Sequence, residues 1–183
     1  EAKPAYWAFV DPSKIKVVQK KVEARRSYDG KFQDAVSYDI GSGDTTTATM
    51  IPIWDEEGFK LQVEVKDKSL DGEKDFVTLY VDEKCLGKEG ITPTVITINR
   101  KEASSIGGGY KATFQVPLDN IVFGKEILFD VKITNANGDV VSYNDIRDSQ
   151  ETSSLNYALC TFKPALTRIA KGSPSVDGEK DEV

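Results

Sequence analysis

The residues that could do chemistry in this chain are mostly carboxylates and aromatics: 30 Asp and Glu, seven Tyr, two Trp, and no His. The missing imidazole removes Ser-His and Cys-His nucleophilic pairs, histidine general bases, and His-ligated zinc or haem iron. A single methionine, Met50, argues further against haem. Glycosidic cleavage needs two carboxylates across a cleft, one with a raised pKa. With so many acids some pair always exists, but none sits in an apolar, strand-end context that would mark an acid catalyst. Cys85 and Cys160 fit no metal-ligand spacing. They read either as one disulfide of a secreted protein or as two thiols buried in a core.

The charge balance limits the partners. Lys and Arg number 24, giving a net charge of −6, and the basic residues are scattered among acids. Nucleic acid, which needs clustered cations, is excluded. The densest basic run, Lys20-Lys21 with Arg25-Arg26, is interrupted by Glu23 and reads as a solvated linker. No apolar stretch reaches the roughly 20 residues that span a bilayer, so membrane insertion is not expected. The chain opens at Glu1 without an initiator Met and reads as a piece of a longer protein.

The elements that must position any site are strands. At 183 residues the chain suits one domain. FKLQVEV at 59–65 and YKATFQV at 110–116 alternate apolar and polar residues, the signature of half-buried strands. FVTLYV at 76–81 is nearly all apolar, as in a strand covered on both faces. TTTATMIPIW (45–54), TVITIN (94–99), ILFDVKI (127–133), VVSY (140–143) and YALCTF (157–162) complete the set. Asn137-Gly138 between apolar runs marks a hairpin, because that turn needs positive φ. Trp54, Phe76 and Tyr80 read as core, and 104–109 as a polar loop. Short strands at this spacing with no helix-period segment predict an all-β fold: a jelly-roll-like β-sandwich of two antiparallel sheets.

The ends read differently. VDGEKDEV at 176–183 resembles YDGKFQDAV at 28–36 with one residue inserted, one domain's length apart. The repeat predicts a tandem array. The expected boundaries are a remnant of a preceding domain at 1–16, a linker at 17–24, one module at 25–165, and a linker with the start of a second module at 166–183.

These segments in this order resemble a family 9 carbohydrate-binding module. The motifs are ATMIPIWDEEGFKLQVEVKD (48–67), DFVTLYVDE (75–83), Gly109-Tyr110, Val116-Pro117-Leu118, Phe129-Asp130-Val131 and Ser142-Tyr143-Asn144-Asp145. Ser149-Gln150 and Asn156-Tyr157 follow, and the opening of a second module is similar to 171–183. Independently, KPAYWAFVDP at 3–12 resembles the C-terminal end of family 10 glycoside hydrolases, the xylanases. The resemblance implies a non-catalytic module of a secreted or cell-surface, multi-modular xylanase. It would be monomeric, would adjoin its own catalytic domain and a tandem module, and would bind xylan or cellulose chain ends.

In that family two Trp side chains sandwich the terminal sugar. The resemblance places Tyr143 at one of them, with Asn144 and Gln150 as polar partners, and Gly72 at the other. Glycine offers no stacking surface, and the family's Arg falls near Thr97, which has no guanidinium. Half the clamp is therefore missing, with Tyr110 and Tyr38 the candidate replacements. Binding is expected to be weak or altered; the alternative is a spacer or stabilising module that has lost it. Tyr143 also reads as an ordinary strand-end tyrosine, and Asn144-Asp145 as turn caps. The family further implies structural calcium, which takes six to eight oxygen ligands. Asp29 and Asp34 bracket an Asp-Gly turn and are the expected ligands, with Asp145 or Asp82 completing the shell. Solvated turn carboxylates are the other reading.

Overall fold

The computed structural model describes residues 18–41, 46–69, 73–144 and 149–166. Eleven strands appear in this order: β1 Lys21–Arg26, β2 Tyr38–Ile40, β3 Thr46–Asp55, β4 Gly58–Asp67, β5 Phe76–Asp82, β6 Thr94–Asn99, β7 Ser104–Ile106, β8 Gly109–Val116, β9 Glu126–Thr134, β10 Val140–Ser142 and β11 Ala158–Lys163. A 3₁₀ turn, Arg100–Glu102, is capped by Asn99 and Glu102. The fold is all-β, as the strand pattern predicts.

The hydrogen-bonded order is β6-β5-β9-β11-β1-β3-β4-β8-β7, with β2 on β3 and β10 on β9. The two halves of the sandwich are thus one continuous, mixed sheet. Their join is β1, parallel to both β11 and β3. Four steps separate β9 from β4 in that order, about 19 Å across a flat sheet at ordinary strand spacing. Yet the rings of Phe59 on β4 and Phe129 on β9 have centroids 5.5 Å apart. The sheet therefore curls over and closes on its own apolar face. One main core results, shared by Leu61 and Val63 of β4, Leu79 of β5 and Val131 of β9, with a smaller cluster of Tyr80, Leu128 and Tyr157 beside it.

Strand β1 occupies 21–26, a stretch that reads as linker and charged run in the sequence. Val22 and Ala24 are buried, while Glu23 and Arg25, which alternate with them, turn outward and pair with each other, Arg25 Nη2 to Glu23 Oε2 at 2.5 Å. Two small apolar residues suffice because both neighbours of β1 supply the hydrogen bonds. The polar stretch expected as a loop at 104–109 likewise contains β7, paired with β8. Tyr80 is buried as expected, and Phe76 is half-buried.

The β3–β4 hairpin carries Glu56 and Glu57 at its tip, with Asp55 paired to Gly58. Gly58 has φ 140°, and a Cβ there would lie 2.1 Å from the Val116 carbonyl oxygen. Only glycine fits that approach. Trp54, just before the turn, is core: its ring stacks on Phe162 at 5.4 Å, and Nε1 donates to the Lys163 carbonyl at 2.8 Å.

Candidate functional site

Asn144 and Gln150 converge on one residue, the buried Asp130 of β9, and Tyr143 lies between two of its partners, Ser142 and Asn144. Asp130 Oδ1 accepts from the Asn144 backbone N–H (3.1 Å) and Asn144 Nδ2 (3.0 Å). Oδ2 accepts from Gln150 Nε2 at 3.2 Å and from the Ser142 hydroxyl at 3.0 Å. The Val131 N–H adds a 2.7 Å bond to Oδ1. All these donors are neutral. Burial pushes the Asp130 carboxyl above its ordinary range, while the bonds from Asn144, Gln150 and Ser142 pull it back in part. The arrangement fixes the chain on both sides of 145–148, so Asp130 organises this end of the molecule. Asp130 is also part of the Phe-Asp-Val signature visible in the sequence, but strand alternation alone does not reveal which polar groups it collects.

Tyr143 itself is 7% exposed. Its ring lies parallel to Phe129, 9° between planes and 6.4 Å between centroids, and meets Tyr38 edge-on at 6.4 Å. Lys20 Nζ sits 4.2 Å from the ring centroid and donates to the Tyr143 carbonyl. As placed, the ring offers no open face on which a sugar could stack. Of the two candidate replacements, Tyr38 is a neighbour of Tyr143, and its hydroxyl accepts from the Glu23 N–H at 2.8 Å. Tyr110 is fully buried. Thr97 is exposed on β6, its hydroxyl 3.1 Å from that of Thr78. Gly72 and Asp145 lie outside the described residues.

Asp29 and Asp34 line a common hollow of about 240 Å³ beyond the end of β1. Asp29 Oδ1 accepts from the Lys31 N–H (3.1 Å) and the Ser27 hydroxyl (3.2 Å), and Oδ2 pairs with Lys31 Nζ at 3.1 Å. Those contacts, the Lys31 N–H foremost, hold its pKa down. An ammonium already occupies the place of a cation, so this pair does not fit calcium as it stands. Asp82, the other residue expected to complete the shell, accepts from the Leu86 N–H and the Ser154 hydroxyl at 2.8 and 2.7 Å. Among the described residues no three Asp, Glu or Cys side chains gather closely enough to hold a metal ion. A different place leaves oxygens unengaged. Asp67 Oδ2 and the Tyr110 hydroxyl are buried without a hydrogen-bond partner among the described residues. Burial raises the Tyr110 pKa, and the charges of Asp75 and Asp67 raise it further. Cys85 is exposed and Cys160 buried, and they are not joined.

A second region collects the groups that sequence reading passes over. Beyond β1, Tyr28 stands out as a 79% exposed aromatic. The Arg26 guanidinium lies 4.8 Å from its ring centroid and 5.2 Å from that of Trp54. Tyr28, Arg26, Asp29, the hairpin carboxylates Asp55, Glu56 and Glu57, and Lys60 line a groove of about 410 Å³.

The chain resembles known proteins in both sequence and shape. A family 9 carbohydrate-binding module from Caldicellulosiruptor kristjanssonii, in complex with cellotriose, superposes with a TM-score of 0.69 at 13% identity. The match covers 82% of this chain and 99% of that one. The fold is that of a family 9 carbohydrate-binding module. In sequence, the whole chain is 27% identical to part of endo-1,4-beta-xylanase C of Paenibacillus barcinonensis and 24% identical to part of endo-1,4-beta-xylanase A of Thermoanaerobacterium saccharolyticum. It spans 20% and 18% of their lengths, respectively. No protein-family model matches the chain.

Proposed function

We propose that the chain is a non-catalytic carbohydrate-binding module of a secreted, multi-modular xylanase, and that it engages neutral β-linked polysaccharide such as xylan or cellulose chain ends. The observation that carries this is a pairing: a family 9 module fold, within a sequence that matches a fifth of xylanase-named proteins along its entire length. The proposal extends to the ends of the sequence: a catalytic-domain remnant at 1–16 and the start of a tandem module within 166–183, on the resemblance of their residues. Polysaccharide is too large to enter a cell, hence the extracellular placement. Catalysis is disfavoured because, among the described residues, the carboxyl whose pKa is raised, Asp130, is 1% exposed and saturated by donors. A general acid must reach the glycosidic oxygen.

The occluded ring of Tyr143 supports a second reading, a spacer module without sugar affinity. Calorimetric titration with xylobiose, cellobiose and glucose separates the two. Heat with any of them supports the binding module. Silence with all of them leaves the spacer.

Structural calcium belongs to the same proposal. Asp67, with the Tyr110 hydroxyl, is better suited to hold it than Asp29 and Asp34. A hard cation would engage Asp67 Oδ2 and the Tyr110 oxygen, which have no hydrogen-bond partner among the described residues, a condition costing about 1–3 kcal/mol per group. Chelator is expected to lower the melting temperature, and Asp67→Asn to abolish that sensitivity. Equal melting with calcium and with chelator would remove the cation from the account.

A further inference from the structure

We infer that the groove at Tyr28 is a saccharide subsite; the inference rests on the carbohydrate-binding reading and moves the aromatic platform away from Tyr143. Sugar recognition needs a ring face for the C–H side of a pyranose and acceptors for its hydroxyls. Tyr28 supplies the first. One face of its ring is backed by the Arg26 guanidinium, which also lies over buried Trp54, so the ring is braced from the core outward. Its remaining surface is open. The fold does not demand an aromatic there, because Val176 takes the same place in the sequence repeat.

The acceptors come from the β3–β4 hairpin. Glu56 reaches Arg26 Nη2 at 3.2 Å and is otherwise exposed. Asp55 and Glu57 share Lys60, at 2.5 and 2.7 Å, and hold its charge in place. Gln115 Nε2 donates to Glu57 at 3.0 Å. The groove lining carries four carboxylates, Asp29, Asp55, Glu56 and Glu57, against the cations Arg26 and Lys60, with Lys31 paired to Asp29 at its rim. Carboxylates held this way accept from vicinal hydroxyls, and the surplus negative charge repels acidic sugars. The class of ligand is a neutral β-linked oligosaccharide rather than one bearing uronic acid.

The test is a titration of the isotope-labelled full chain with cellotriose and xylotriose, read by amide shifts and affinity. Perturbations centred on Tyr28, Gly30 and 55–57, at least tenfold weakening in Tyr28→Ala, and retention in Tyr28→Phe would support the subsite. A glucuronic-acid-substituted xylooligosaccharide is expected to bind more weakly than its neutral parent. Binding that perturbs 142–150 instead and is unchanged in Tyr28→Ala overturns the subsite and leaves the carbohydrate reading standing. No binding of either trisaccharide overturns both. Equal melting temperatures of Tyr28→Ala and the parent ensure that a loss is not unfolding.

Discussion

The two ends of β1 treat an aromatic in opposite ways. At its start, Lys20, Tyr38 and Phe129 enclose Tyr143 beside a network in which the oxygens of Asp130 are answered from within. At its finish, Arg26 props Tyr28 outward over carboxylates that still have lone pairs to give. One end spends its chemistry on holding the fold; the other leaves it available. Six residues of strand, about 20 Å, separate them. Resemblance to a family points to a residue position, but burial decides what that residue can touch.

Substitutions should show the asymmetry. Tyr143→Ala removes a buried ring packed on Phe129 and is expected to cost about 3–5 kcal/mol in denaturant unfolding. A loss below about 1 kcal/mol would mean the ring is far less enclosed than described. Asp130→Ala strands the donors of Ser142, Asn144 and Gln150 and should cost about 3 kcal/mol. It should also speed hydrogen exchange across 142–150 more than across 55–60. Uniform acceleration would make Asp130 a general core residue rather than the organiser of one end.

Titration distinguishes two acids at the Tyr143 end. Lys132, helped by Tyr80 and Ser149, holds Glu151 down at about 2 from an ordinary 4.5. Its stabilisation is present above the unfolded pKa and is lost as pH falls from 4.5 towards 2. Because Glu151 is half exposed, the effect is small and salt-sensitive. Asp130 has the opposite sign: its raised pKa makes the native state the better proton acceptor, so its charge costs stability as pH rises through and above the carboxylate range. Glu151→Gln should flatten the acid limb of a stability–pH curve. An unchanged limb would show that the Lys132 pair contributes nothing. The smallest effect belongs to the other end, where Tyr28→Ala should stay within about 0.5 kcal/mol of the parent.

Much of the fold was legible because its strands alternate over long runs: β4 and β8 announce themselves residue by residue. Strand β1 was not, since its two inward side chains are small and its partners are remote. Lys21 pairs with Leu159, a contact that no local window contains. The same reason hid both aromatic environments. Tyr143 is enclosed by Lys20, Tyr38 and Phe129, and Tyr28 gains its groove only because the β1–β3 register sets Arg26 beside Trp54. Motif order in the sequence singles out Asn144 and Gln150 as polar partners of a sugar, but their shared acceptor, Asp130, emerges only in the folded chain.

The parallel pairing of β1 with β11 also has a mechanical meaning. Because Lys21 lies beside Leu159 and Arg25 beside Lys163, the polypeptide enters this pair at one end and leaves it at the other. Tension applied through the flanking segments would load the whole ladder in shear instead of unzipping it bond by bond. All five residue pairs must then yield together. A sheet stitched this way is a tether as well as a scaffold, and its resistance to force should exceed what its equilibrium stability suggests.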